Sequence, residues 1–107
     1  MIARTWRGWT RAADADRYVD YLHQTGVREY GETPGNRGVF LLRRVSDERA
    51  EFLLVTLWDS MDAVRAFAGP NERDAVFYPE DDAYLVERET HADHFDVLAA
   101  PEGLAGS

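Results

Sequence analysis

The stretch Phe52-Leu53-Leu54-Val55-Thr56-Leu57-Trp58 is apolar at nearly every position. A strand turns alternate side chains to opposite faces, so such a run predicts burial on both sides of a sheet. One side can rest on the chain's own helices. The other needs a partner surface or a filled cavity. The length of 107 residues sets the scale, one domain with a modest core. Residues 1–100 read as that domain and 101–107 as a tail.

Around this strand the pattern alternates between strands and helices. Residues 2–10 read as a strand carrying Trp6 and Trp9. Residues 14–25 have helical spacing, with Ala15, Tyr18, Val19 and Leu22 on one face, Asp14 as N-cap and Gly26 just past the end. A loop is expected over 28–37, marked by Gly31 and Pro34-Gly35. Strands follow at 39–45 and 52–58, joined by a short polar turn. Ser60 caps a helix that runs to Ala68, and Gly69-Pro70 stops it. A short helix is expected over 72–77, a turn over 80–84, and one long last strand over 85–98. The order β-α-β-β-α-β defines an α+β, ferredoxin-like fold, an antiparallel sheet with helices on one face. A second copy of the chain, packed sheet to sheet, is the simplest cover for the other face.

Composition narrows the function. The chain carries 20 acidic and 12 basic residues, a net charge of −8. The basic residues are scattered, so nucleic acid and anionic membranes are poor partners. Without cysteine, thiolate nucleophiles and Cys-based metal sites are excluded. No signal peptide and no apolar stretch of membrane-spanning length is visible, so the expected location is the cytoplasm. There is no Ser-His-Asp elbow, phosphate loop or His-x-x-x-His spacing. Asp81-Asp82 and Glu87 with Glu89 read as solvated charge and helix-start charge rather than a metal site.

Leu57-Trp58-Asp59-Ser60 followed by Ala63-Val64-Arg65-Ala66-Phe67 resembles the W-x-S-x-x-A-x-x-x-F signature of the antibiotic biosynthesis monooxygenase domains. Phe77-Tyr78-Pro79-Glu80, His94-Phe95-Asp96-Val97, the first strand and Pro34-Gly35-Asn36-Arg37-Gly38 are similar to features of the same group. The resemblance covers all but the tail. It implies a homodimeric α/β barrel with a pocket between sheet and helices in each subunit. It also implies one of several activities: oxidation of aromatic polyketide phenols by dioxygen without a cofactor, haem degradation, or isomerisation and cyclisation. The haem-degrading members are marked by a helix Trp, an iron-binding His ten residues later and an Asn on the first strand. Here the first two positions are Phe67 and Phe77, and the first strand has no Asn, which counts against that branch.

Cofactor-free oxygenation needs a base, an oxyanion partner and apolar walls. His94 is the candidate base, with a surface or interface histidine as the alternative. His91 falls on the opposite strand face. Arg4 shares a face with Trp6 and Gly8 and is the candidate oxyanion partner, or else a solvated or dimer-bridging charge; Arg43 has the same two readings. Trp6, Trp58, Phe67, Phe77 and Tyr78 are candidate substrate walls, or plain core. The expected function is a monooxygenase acting on an aromatic, polyketide-like metabolite with no cofactor and no metal. The alternatives are a cyclase or isomerase of the same fold and a non-catalytic ligand-binding dimer.

Overall fold

The computed structural model describes residues 1–101. The expected tail, Pro101 apart, lies outside the described residues. The doubly apolar run belongs to β3 (Arg49–Trp58), flanked by β2 (Asn36–Ser46) on one side and β1 (Ile2–Arg11) on the other. The far edge of β1 is shared by β4 (Leu85–Arg88) and β5 (Asp93–Asp96), and every pairing is antiparallel. Between β1 and β2 lie α1 (Ala15–Gln24) and α2 (Gly26–Glu32). Between β3 and β4 lie α3 (Met61–Ala68) and α4 (Asp81–Tyr84). This is the ferredoxin-like α+β arrangement, with the helices on one face of the sheet.

Strand periodicity sorts the side chains. Ala50, Phe52, Leu54, Thr56 and Trp58 turn toward the helices and are buried. Phe52 packs with Tyr18, Tyr21 and Leu22 of α1, while Trp58 packs with Tyr30 of α2 and Val64 of α3. Phe52 and Trp58 are fully enclosed, each contributing about 1.5–3 kcal/mol by burial. The alternate residues, Leu53 and Val55, face away from the helices. They lie beside Leu42 and Phe40 of β2, which are 46% and 44% exposed. Phe95 of β5 pairs with Ala3 and continues this apolar face at 55% exposure. Ser60 caps α3, its Oγ accepting the Ala63 N–H at 3.2 Å.

Several expectations need correction. Gly26 does not end a helix but begins α2, and much of the expected loop is helical, because Tyr30 gains a buried site against Trp58. Asp14 accepts no backbone N–H as a side-chain cap; Arg11 and Arg17 hold its carboxylate instead. Residues 72–77 form no helix. Their backbone pairs with the last part of the chain, through Ala92 N–H to Arg73 O (2.7 Å), Ala75 N–H to Thr90 O (3.0 Å) and a bridge between Asp74 and His91. This pairing breaks the expected last strand into β4 and β5. The segment 72–78 thereby becomes a strap that crosses the helix face of β1.

Candidate active site

Arg4, Trp6 and Gly8 occupy successive helix-facing positions on β1. Gly8 has to be glycine. A Cβ there would stand 2.4 Å from Cη2 of Trp6 and 2.9 Å from Leu85, closer than any real contact. The indole therefore crowds against Gly8, and its Nε1–H donates to Glu89 O at 2.6 Å. Phe77 of the strap meets the indole edge-on, with centroids 6.0 Å apart, and the Arg88 guanidinium covers the Phe77 ring at 4.8 Å.

Beyond the indole is a small cavity. Arg4, Trp6 and Leu54 form its floor, Tyr18, Leu22, Gly26 and Tyr30 come from α1 and α2, and Phe77, Tyr78 and Asp81 close it. Its volume is about 30 Å³, room for about one water. An aromatic ligand enters only if the strap carrying Ala75–Tyr78 moves outward. Tyr78 pins that strap in two ways: its hydroxyl donates to Glu29 Oε2 at 2.8 Å, and its N–H donates to Asp81 Oδ2 at 2.6 Å.

Arg4 is buried, 5% exposed. Nη1 donates to Glu72 O and contacts His94 Nε2 at 2.9 Å, and Nη2 donates to Asp74 O at 2.8 Å. Arginine only donates, so His94 Nε2 accepts, which assigns its proton to Nδ1. Burial, and then the Arg4 charge, hold the His94 pKa below the ordinary histidine value. The histidine is thus neutral, with the Nε2 lone pair already engaged. Burial also raises the phenol pKa values: Tyr30 is pushed up to about 12, and Tyr18 and Tyr78 rise further.

The sequence-derived candidates fall into two places. Arg4, Trp6, Phe77 and Tyr78 meet at the cavity. His94 lies behind Arg4, outside the lining. Trp58 and Phe67 form a separate stack, centroids 5.2 Å apart, against the far side of Tyr30. His91 lies on the strap's bridge to Asp74, and Arg43 pairs with exposed Asp16 at 2.8 Å. The sequence reading missed Tyr18, Tyr30 and Asp81. The first two had a signal in their helical spacing with Leu22 and Val27. Among the described residues no three His, Asp or Glu side chains converge on a metal site, and no helix is long and apolar enough to cross a membrane.

No family model and no curated protein sequence matches the chain. Solved structures do share its fold. A Bacillus cereus protein described as a candidate antibiotic biosynthesis monooxygenase superposes with a TM-score of 0.65 at 14% identity, covering 94% of this chain and 95% of that one. A counterpart from Nitrosomonas europaea gives 0.64 at 14% identity, over 92% and 100%. The haem degrader MhuD of Mycobacterium tuberculosis, seen with two haems in its active site, gives 0.59 at 22% identity, over 94% and 99%. The architecture is therefore that of the antibiotic biosynthesis monooxygenase domains. Among the described residues the cavity lacks the iron-binding histidine that the resemblance leads one to expect of a haem degrader. Among those residues its lining includes no methionine either, and Phe77 packs on Trp6 at the position of the expected histidine.

Proposed function

We propose that this chain is a monooxygenase that oxidises a phenolic or enolisable aromatic metabolite with dioxygen, without flavin, haem or metal. The observation that carries this reading is Arg4, a buried guanidinium at the edge of a cavity with aromatic walls. A phenol or enol bound against it loses its hydroxyl proton more readily, because the oxyanion gains a charge-assisted partner in a dry site. The electron-rich oxyanion then reduces dioxygen. For a methylene carbon activated in this way, CH₂ and O₂ become C=O and H₂O; the substrate supplies all four electrons, and one oxygen atom leaves as water. Trp6, Phe77 and Tyr78 hold the flat ring and keep solvent away. His94 orients Arg4 rather than accepting the proton, since its Nε2 is occupied.

A second copy of the chain covers the open sheet face in this reading. Phe40, Leu42 and Phe95 are all exposed there, alongside Leu53 and Val55, and their burial in a homodimer supplies the missing half of the core. The dimer acts in the cytoplasm, with a small aromatic molecule as its ligand.

The test is dioxygen uptake by purified protein free of metal and cofactor, using anthrones and hydroxylated naphthalenes, with product masses. Uptake with one oxygen atom retained in the product supports the reading. An altered product of unchanged composition replaces it with a cyclase or isomerase, which would use the same cavity. Tight binding without turnover replaces it with a binding protein.

A further inference from the structure

Asp81 is a charged cavity group that the reading above leaves without a task. It is 4% exposed. Its Oδ2 accepts the Tyr78 N–H at 2.6 Å, but among the described residues Oδ1 has only the Tyr18 hydroxyl, at a long 3.4 Å. A carboxylate has about four acceptor sites, so most of this one's capacity is unspent. Cations nearby are engaged elsewhere. Arg88 binds exposed Asp82, and Arg4 binds two main-chain oxygens and His94. An ionised carboxylate buried in this way is costly until a donor or a proton reaches it.

The groups facing it come from every element packed around it. They are Tyr18 and Tyr21 from α1, Tyr30 from α2, Tyr78 from the strap, Glu80 and Asp82 on either side of Asp81 in sequence and Arg88 from β4. Burial raises the Asp81 pKa first, and the Tyr78 N–H and Arg88 offset part of the rise. The tyrosine hydroxyls stay protonated here, because burial drives their pKa values up, so they offer no free base.

We infer that Asp81 is the proton acceptor of this cavity, taking the hydroxyl proton of a bound phenol or enol at Oδ1. In that step the substrate O–H bond breaks, a carboxyl O–H forms, and the electron pair stays on the substrate oxygen. Arg4, with N–H groups to spare beyond its three contacts, lines the same cavity as the positive partner. The ligand class follows: a flat molecule with an ionisable hydroxyl at one end and a carbonyl or second oxygen within reach of the other. This inference rests on the cavity's being a phenol site but not on the oxygen chemistry.

The experiment titrates 4-nitrophenol into the full chain near pH 8, where the free ligand is the coloured phenolate. Calorimetry in two buffers of different ionisation enthalpy counts the protons exchanged. A phenolate entering beside an ionised Asp81 must bring a proton with it, so about one proton is taken up per ligand bound. Asp81→Asn keeps an oxygen for the Tyr78 N–H and should bind the phenolate with no uptake. Tyr18→Phe removes a hydrogen bond that favours the ionised carboxylate, so uptake persists with its midpoint moved to higher pH; this variant serves if Asp81→Asn fails to fold. Uptake that survives in Asp81→Asn, or a midpoint unmoved in Tyr18→Phe, overturns the assignment. No binding to any variant overturns it together with the phenol-site reading. Asp81-dependent uptake in a protein that consumes no dioxygen with any phenol keeps the assignment and overturns the oxygenase reading alone.

Discussion

Gly8→Ala should be among the most informative single-atom changes in this chain. The new methyl would stand 2.4 Å from Trp6 Cη2 and 2.9 Å from Leu85 Cδ2, against an optimum of about 3.5–4.0 Å for carbon pairs. Leu85 can shift its side-chain end, but the indole has to move by more than an ångström. Moving it breaks the 2.6 Å bond from Nε1 to Glu89 O, a loss of about 0.5–1.5 kcal/mol. It also disturbs the edge contact with Phe77, worth a similar amount. Replacing glycine within a strand returns about 0.5–1 kcal/mol. The net destabilisation is about 1–2 kcal/mol, a fall in Tm of roughly 4–16 °C for a domain of this size. Urea unfolding followed by far-ultraviolet circular dichroism gives the value. The decisive comparison repeats the substitution in a Trp6→Ala background, where the methyl meets only the flexible end of Leu85 and the cost should vanish or change sign. An equal cost in both backgrounds would refute the claim that Gly8 exists to seat the indole.

Three further outcomes follow from the same structure. Ser60→Ala removes the acceptor for the Ala63 N–H and should lower stability by about 1 kcal/mol, read from the urea midpoint. Asp81 has a folded-state pKa above its unfolded value, so the native state binds the proton more tightly; the stability this gives is complete in acid, below the unfolded carboxylate range, and is lost as pH rises through the folded value. The stability of Asp81→Asn relative to the parent should therefore climb as pH rises from acid through the folded-state value, and a flat difference would contradict the burial argument. In the proposed homodimer, Leu42→Asp on the open face should shift sedimentation from dimer to monomer with the circular dichroism spectrum unchanged.

The strands and α3 were legible in the sequence because their signals are local. Phe52 to Trp58 carries its own burial pattern, and Ser60 is a cap whatever surrounds it. The second helix was not, since Gly26, Gly31 and Pro34-Gly35 all signal a loop. What overrides them is tertiary: Tyr30 reaches the Trp58 and Phe67 rings, and that gain is invisible to a local reading. The break in the last strand has the same origin, because the competing partner, residues 73–75, is remote in sequence. The cavity was read in part. Arg4 and Trp6 were placed on one face by strand alternation, but His94, read as a candidate base, had no face assigned to it; the register puts it opposite Arg4, where it supports the guanidinium. Asp81 was missed because it and Asp82 look identical in sequence. Only the four-residue helix decides that one is buried and the other paired with Arg88 in solvent.

The strap has a consequence for how such a chain can diversify. Its backbone is tied near its ends, by Ala75 to Thr90 and by Tyr78 to Asp81, while Val76 and Phe77 between them line the cavity. The rings that hold sheet and helices together, Trp58, Tyr30 and Phe67, belong to a different cluster. Tyr30 also lines the cavity, but Trp58 and Phe67 do not, so on the strap selectivity is written on residues that this stack does not use. A lineage with this architecture can exchange one ligand for another by changing two side chains on the strap, leaving the sheet ladder and the main aromatic stack as they were.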